Sequence, residues 1–179
     1  MHVLNHMEKG GKGLKGKIVC LFLLGLILGL RGIGVAGTTA TQTVTLQVSA
    51  INEISVSGNP GNLTVSTATA GSAPTDATDA TTTYAVTTNQ TGAKVTGQIT
   101  VGGAVPTGTT LKINLVAPTG GTSAGDVTLS NGSASDLVTG ITQKAESGKT
   151  ITYKFSATAA AGVVSSTNRT ITLTLTGGS

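Results

Sequence analysis

Hydrophobic and polar positions alternate along most of the chain after residue 37. The segment Thr41-Gln-Thr-Val-Thr-Leu-Gln-Val48 sets the pattern, with Val44, Leu46 and Val48 on one face and Thr43, Thr45 and Gln47 on the other. A period of two belongs to a β-strand with one buried face. Further alternating or β-branched runs cover 53–57, 62–67, 82–88, 93–101, 110–117, 126–130, 136–142, 149–159 and 168–176. The gaps carry turn chemistry, as in Ser57-Gly-Asn-Pro-Gly61, Asn89-Gln-Thr-Gly92, Pro118-Thr-Gly-Gly121, Asn131-Gly132 and Ser147-Gly148. No amphipathic helix of useful length interrupts the strands, although Ala157–Gly162 has room for one short helical turn. Residues 67–83, low in complexity, read as a long surface loop.

About nine or ten short strands with Gly, Pro and Asn punctuation predict an all-β fold. The architecture expected is a single immunoglobulin-like β-sandwich, jelly-roll or Greek-key, over residues 38–179. Inward parity nominates Val44, Leu46, Val48, Ile54, Val56, Leu63, Val65, Tyr84, Val86, Val95 and Ile99 for the core. From the second half it nominates Leu111, Ile113, Leu115, Val127, Leu129, Ile151, Tyr153, Phe155, Ile171, Leu173 and Leu175. Thr makes up about a quarter of this region, and its branched Cβ favours extended backbone.

The first 37 residues follow another grammar. Polar, basic residues 1–17 precede an uncharged apolar run from Ile18 to Leu30, and small residues follow to Gly37. That order is the order of a secretory signal peptide, with cleavage expected near Ala36 or Gly37. At 1.5 Å per residue the apolar run covers about 20 Å, short of the roughly 30 Å of a bilayer core. Two alternatives remain, an uncleaved anchor and a type IV pilin-like leader cut before the apolar run. The helix-weakening Gly25, Gly29, Gly32 and Gly34 count against a long assembly helix. Cys20 opens the apolar run and is read as one of its apolar residues.

Charge sharpens this division. The whole chain carries a formal +4. Residues 1–37 hold Lys9, Lys12, Lys15, Lys17 and Arg31 against Glu8, so the excess lies in the leader. Residues 38–179 are neutral and contain no His, Cys, Met or Trp. No basic patch with interleaved aromatics exists there, so nucleic acid is not an expected partner. The membrane is expected to matter during export alone.

The motifs that resemble catalytic ones lack their structural context. Gly11-Lys-Gly-Leu-Lys-Gly16 matches a dinucleotide fingerprint in letters, but it lies in a basic leader and not between a strand and a helix. Gln143-Lys-Ala-Glu-Ser-Gly-Lys-Thr150 ends like a phosphate loop but leads into a strand, and is read as a polar hairpin turn. Asp76 and Asp79 supply two carboxylates where a calcium site takes six to eight oxygens, and are read as solvated loop charges. Ser147 and Lys149 form no convincing nucleophile–base pair. No enzyme activity, cofactor or metal is expected. Asn62, Asn89, Asn131 and Asn168 fit the N-glycosylation pattern, which Ser and Thr abundance alone nearly accounts for.

The strand opening at Thr41 falls directly after the expected cleavage point. A free alternating strand there can complete the sheet of a neighbouring molecule, with Val44, Leu46 and Val48 as inserted knobs. It can equally pair within its own domain, since alternation marks a buried face and not whose core buries it. With its opening TQTVTLQVSAINEISVSG, the chain resembles archaeal bundling pilins and TasA-like biofilm fibre proteins in architecture and composition. That resemblance implies a secreted, extracellular subunit of a cell-surface pilus or biofilm-matrix fibre, with residues 39–50 as donor strand. It implies a homopolymer held by strand exchange, with bundling between neighbouring fibres. The readings kept beside it are a pilin-like or envelope surface protein retaining its apolar helix, and a secreted carbohydrate- or partner-binding module.

Overall fold

A computed structural model describes residues 37–178, and the leader features named above lie outside them. The chain divides into Met1–Leu46 and Gln47–Ser179, and the sandwich belongs to the second unit. Nine strands form it: β1 (Asn52–Val56), β2 (Ala77–Thr88), β3 (Ala93–Val101), β4 (Thr109–Leu115), β5 (Thr122–Ser123), β6 (Val127–Thr128), β7 (Ser135–Ile141), β8 (Lys144–Ala157) and β9 (Thr170–Thr176). One antiparallel sheet has the order β1-β2-β8-β4-β6 and the other β5-β7-β3-β9. After β2 every connection passes from one sheet to the other, so each new strand lands on the facing layer. The fold is the expected all-β sandwich.

Its core is aliphatic with two tyrosines. Tyr84, Val86, Val95, Ile99, Ile113, Leu115, Leu129 and Ile151 are buried in the positions that alternation assigns them. Each such side chain contributes about 1.5–3 kcal/mol through removal from water. Ala93, Leu137, Val138 and Ile141 join this core without having been singled out by the pattern. Leu137 and Val138 are neighbours that both point inward. The β3–β7 ladder is irregular at Val95, and such a slip lets two successive residues face the same way.

Several expectations are corrected. Residues 41–48 and 62–67 form no strands; Leu63 nonetheless packs on the core from an irregular segment. The surface loop ends at Asp76, because the Thr-rich stretch beyond it pairs with β8 as the first half of β2. The polar turn expected at 143–150 is strand β8 itself. Ser147-Gly148 is a bulge within it: Lys149 lies opposite Tyr84 and Glu146 opposite Val86, with Gly148 at φ 69°. The true turn is Thr142-Gln143, where Gln143 adopts φ 47° and donates its backbone N–H to the Gln90 carbonyl at 2.9 Å. A short 3₁₀ turn spans Ala159–Ala161, as the sequence allowed.

Candidate functional site

The residues before β1 keep the alternation and lack the burial that alternation implies. Val44 is 72% exposed, Leu46 88% and Val48 81%. Inward parity nominated these three for the core, and all three are exposed. All residues from Gly37 to Ile51 are exposed, and none is in a strand. Val44, Leu46 and Val48 are thus three large apolar side chains exposed at alternate positions of a segment that is not in a strand.

The complementary feature is a sheet edge in the sandwich. Among the described residues, β9 pairs with β3 on one side and has no partner on the other. Its sequence Thr-Ile-Thr-Leu-Thr-Leu-Thr alternates cleanly, yet the inward residues Ile171, Leu173 and Leu175 are half-buried. The inward residues of β3 and β4, by contrast, are covered almost fully. Across the sandwich β9 faces β1, also an edge strand, whose Ile54 is half-buried and whose Val56 is 53% exposed. Val56 was expected in the core, and it lies exposed at the end of the edge strand β1. β1 and β9 approach each other across the two sheets, so this flank is closed along its inner face and open along the outer edge of β9. The opposite flank ends in the two-residue strands β5 and β6, too short to template an added strand.

One end of this flank is closely packed. A Cβ on Gly177 would fall 2.6 Å from Asn52 Nδ2 and against Gln90. The end of β9 thus abuts the start of β1 and the β2–β3 turn. Asn52 Nδ2 donates to Gln90 Oε1 at 2.8 Å, and Thr88 Oγ1 donates to Asn52 Oδ1 at 2.8 Å. Immediately upstream, Asn89 holds the chain three ways. Its backbone N–H donates to the Ile51 carbonyl at 3.3 Å, its Oδ1 accepts from the Ile51 N–H at 2.8 Å, and its Nδ2 donates to the Ser49 carbonyl at 2.8 Å.

Asn62, Asn131 and Asn168 are exposed outside the strands, whereas the Asn89 amide, though exposed, is committed to the chain before β1. Asp76 and Asp79 do not converge as free loop charges. Asp76 pairs with Lys154 at 3.1 Å, and this bond holds its carboxyl below the usual range. Asp79 accepts from the Thr81 N–H and hydroxyl and from the Gly61 N–H, which also lowers it. Lys149 reaches Glu146 at 2.6 Å, an ion pair across the bulge that contains Ser147. The sequence flagged Val44, Leu46 and Val48, but β9 as an open edge carries no signal of its own, because its alternation matches that of paired strands.

No family model, curated protein or solved structure matches the chain.

Proposed function

We propose that the protein is the structural subunit of an extracellular filament, polymerised by N-terminal donor-strand complementation. The observation carrying this reading is the presence in one chain of exposed apolar residues at alternate positions and of a β9 edge that is unpaired among the described residues and backed by half-buried apolar residues. In the filament, residues 39–50 of one copy lie along the edge of β9 of the next, and Val44, Leu46 and Val48 cover the half-buried Ile171, Leu173 and Leu175. Knobs at alternate positions over five residues span about 13 Å, the same length as Ile171 to Leu175. Backbone pairing along β9 supplies affinity, and the three side chains supply register. The leader exports the subunit and is removed, which frees the arm. The low charge of the neutral domain suits close subunit and fibre contact, since few ions need desolvation.

Sugar binding is less well supported. Tyr84 and Tyr153 are buried and therefore unavailable for stacking on a glycan ring.

Electron microscopy of the secreted protein, with and without residues 38–48, tests the proposal. Filaments are expected from the full chain and none from the deletion. A synthetic peptide of residues 38–50 should bind the deleted subunit. Normal filaments without the arm would overturn the reading.

A further inference from the structure

The three bonds at Asn89 have a geometric consequence. Along an extended strand, the carbonyl of residue i and the N–H of residue i+2 point to the same side. Asn89 engages the Ser49 carbonyl and the Ile51 N–H and carbonyl, all from one side. The β1–β2 ladder ends at the pair Asn52–Thr88. Beyond it, the backbone and side-chain amide of Asn89 take the place of further β2 residues, and they keep Ser49–Ile51 extended in line with β1.

That line decides which groove an arm can reach. β1 runs away from the end of the sandwich where β9 finishes, the end marked by Asn52, Gln90 and Gly177. Returning along its own β9 requires the arm to reverse sharply at residues 49–51, and it would then lie parallel to β9. In a filament whose copies share one orientation head to tail, an arm leaving in line with β1 enters the next copy from the Thr170 end of that copy's β9, and lies antiparallel to it.

We infer that Asn89 is a positioning residue that directs the N-terminal arm outward, favouring exchange with a second copy over closure on its own groove. The inference rests on the filament reading. In the antiparallel arrangement centred on Leu46 and Leu173, Val44 faces Leu175, Val48 faces Ile171, and on the solvent side Thr45 faces Thr174. In self-closure Thr45 faces Thr172 instead.

Cysteine pairs read this difference, because residues 38–179 contain no cysteine. The full chain with Cys20→Ser, carrying Thr45→Cys with Thr174→Cys, should oxidise to a ladder of covalent oligomers. Thr45→Cys with Thr172→Cys should give little crosslink of any kind. Adding Asn89→Ala should cut the ladder at least several-fold and raise covalent monomer from the second pair. Asn89→Asp keeps the acceptor for the Ile51 N–H and loses the donor to Ser49, so it should fall between the two. It provides the reading where Asn89→Ala fails to fold. A loss of stability alone would lower both crosslinks together and leave their ratio unchanged. An unchanged ratio in the folded Asn89 variants overturns the role of Asn89 while leaving the filament intact. No interchain ladder in the parent pair, with no filaments by microscopy, overturns the filament reading as well.

Discussion

Gly97 on β3 is the cross-strand partner of Leu173 on β9. A Cβ on Gly97 would sit 3.2 Å from Leu173 Cδ2 and 2.6 Å from Leu137 Cδ1. The glycine thus gives two leucines room over β3, one fully buried and one at the open edge. Gly97→Val should destabilise the domain by about 1–3 kcal/mol, the range for overpacking a filled core. Because Leu173 is the less confined neighbour, Leu173→Ala should return part of that loss in Gly97→Ala. Chemical unfolding of the two single variants and the double variant checks the coupling, and strict additivity would count against the contact.

The arm and the groove can be disabled separately. Leu46 is exposed in the subunit, so Leu46→Asp should leave its fold intact, yet an unpaired carboxylate entering the groove is strongly unfavourable. Leu173→Asp should disable the groove and spare the arm. Neither variant should polymerise alone. An equimolar mixture should stop at dimers, since the intact arm of one fits the intact groove of the other. Size-exclusion chromatography and native mass spectrometry read the outcome; wild-type polymer from both single variants would refute the pairing.

These tests also mark where sequence and structure part. The alternation in β2, β3, β4, β8 and β9 is plain in the chain because each strand has one face in the core, and period two records that directly. The bulge at Ser147-Gly148 reads as a turn because a left-handed glycine is the same letter in either setting. Leu137 and Val138 are hidden because a slipped register breaks the alternation itself. Val44, Leu46 and Val48 are legible as a face that must be buried. In the structure they are exposed, and no local pattern says which core, if any, buries such a face. Asn89 carries a glycosylation pattern in the sequence, and its three bonds become visible only when the β2–β3 turn is set against the chain before β1.

Tyr84 ties the two ends of its sheet region together. Its hydroxyl donates to the Val116 carbonyl at 2.7 Å, fixing the chain just after β4. Burial, with the Glu146 charge adding to it, pushes the phenol up to about 12. Tyr84→Phe removes one hydrogen bond and keeps the ring, so the cost should be about 0.5–1.5 kcal/mol. Equilibrium denaturation measures it. Burial raises Tyr153 as well, so an ultraviolet titration should show both tyrosines ionising late, and the step belonging to Tyr84 should disappear in the variant.

Glu146 should give the domain an acid-sensitive contact. The Lys149 ammonium bonded to it, and then the Thr119 backbone N–H, hold its carboxyl at about 2, against an ordinary 4.5. A carboxyl lowered on folding contributes its full stabilisation above its unfolded value, here above about pH 4.5. The contribution falls away as pH drops from there through about 2, because the unfolded chain takes up the proton first. The contact is local, joining the segment after Pro118 to the β8 bulge. Glu146→Gln keeps the shape and removes the titration. The variant should be less stable than the parent at neutral pH, and the difference should shrink steadily from pH 5 toward pH 2. Denaturation midpoints at several pH values measure this directly. A constant gap between the two proteins across that window would show that the Lys149 pair and the Thr119 bond do not hold Glu146 ionised.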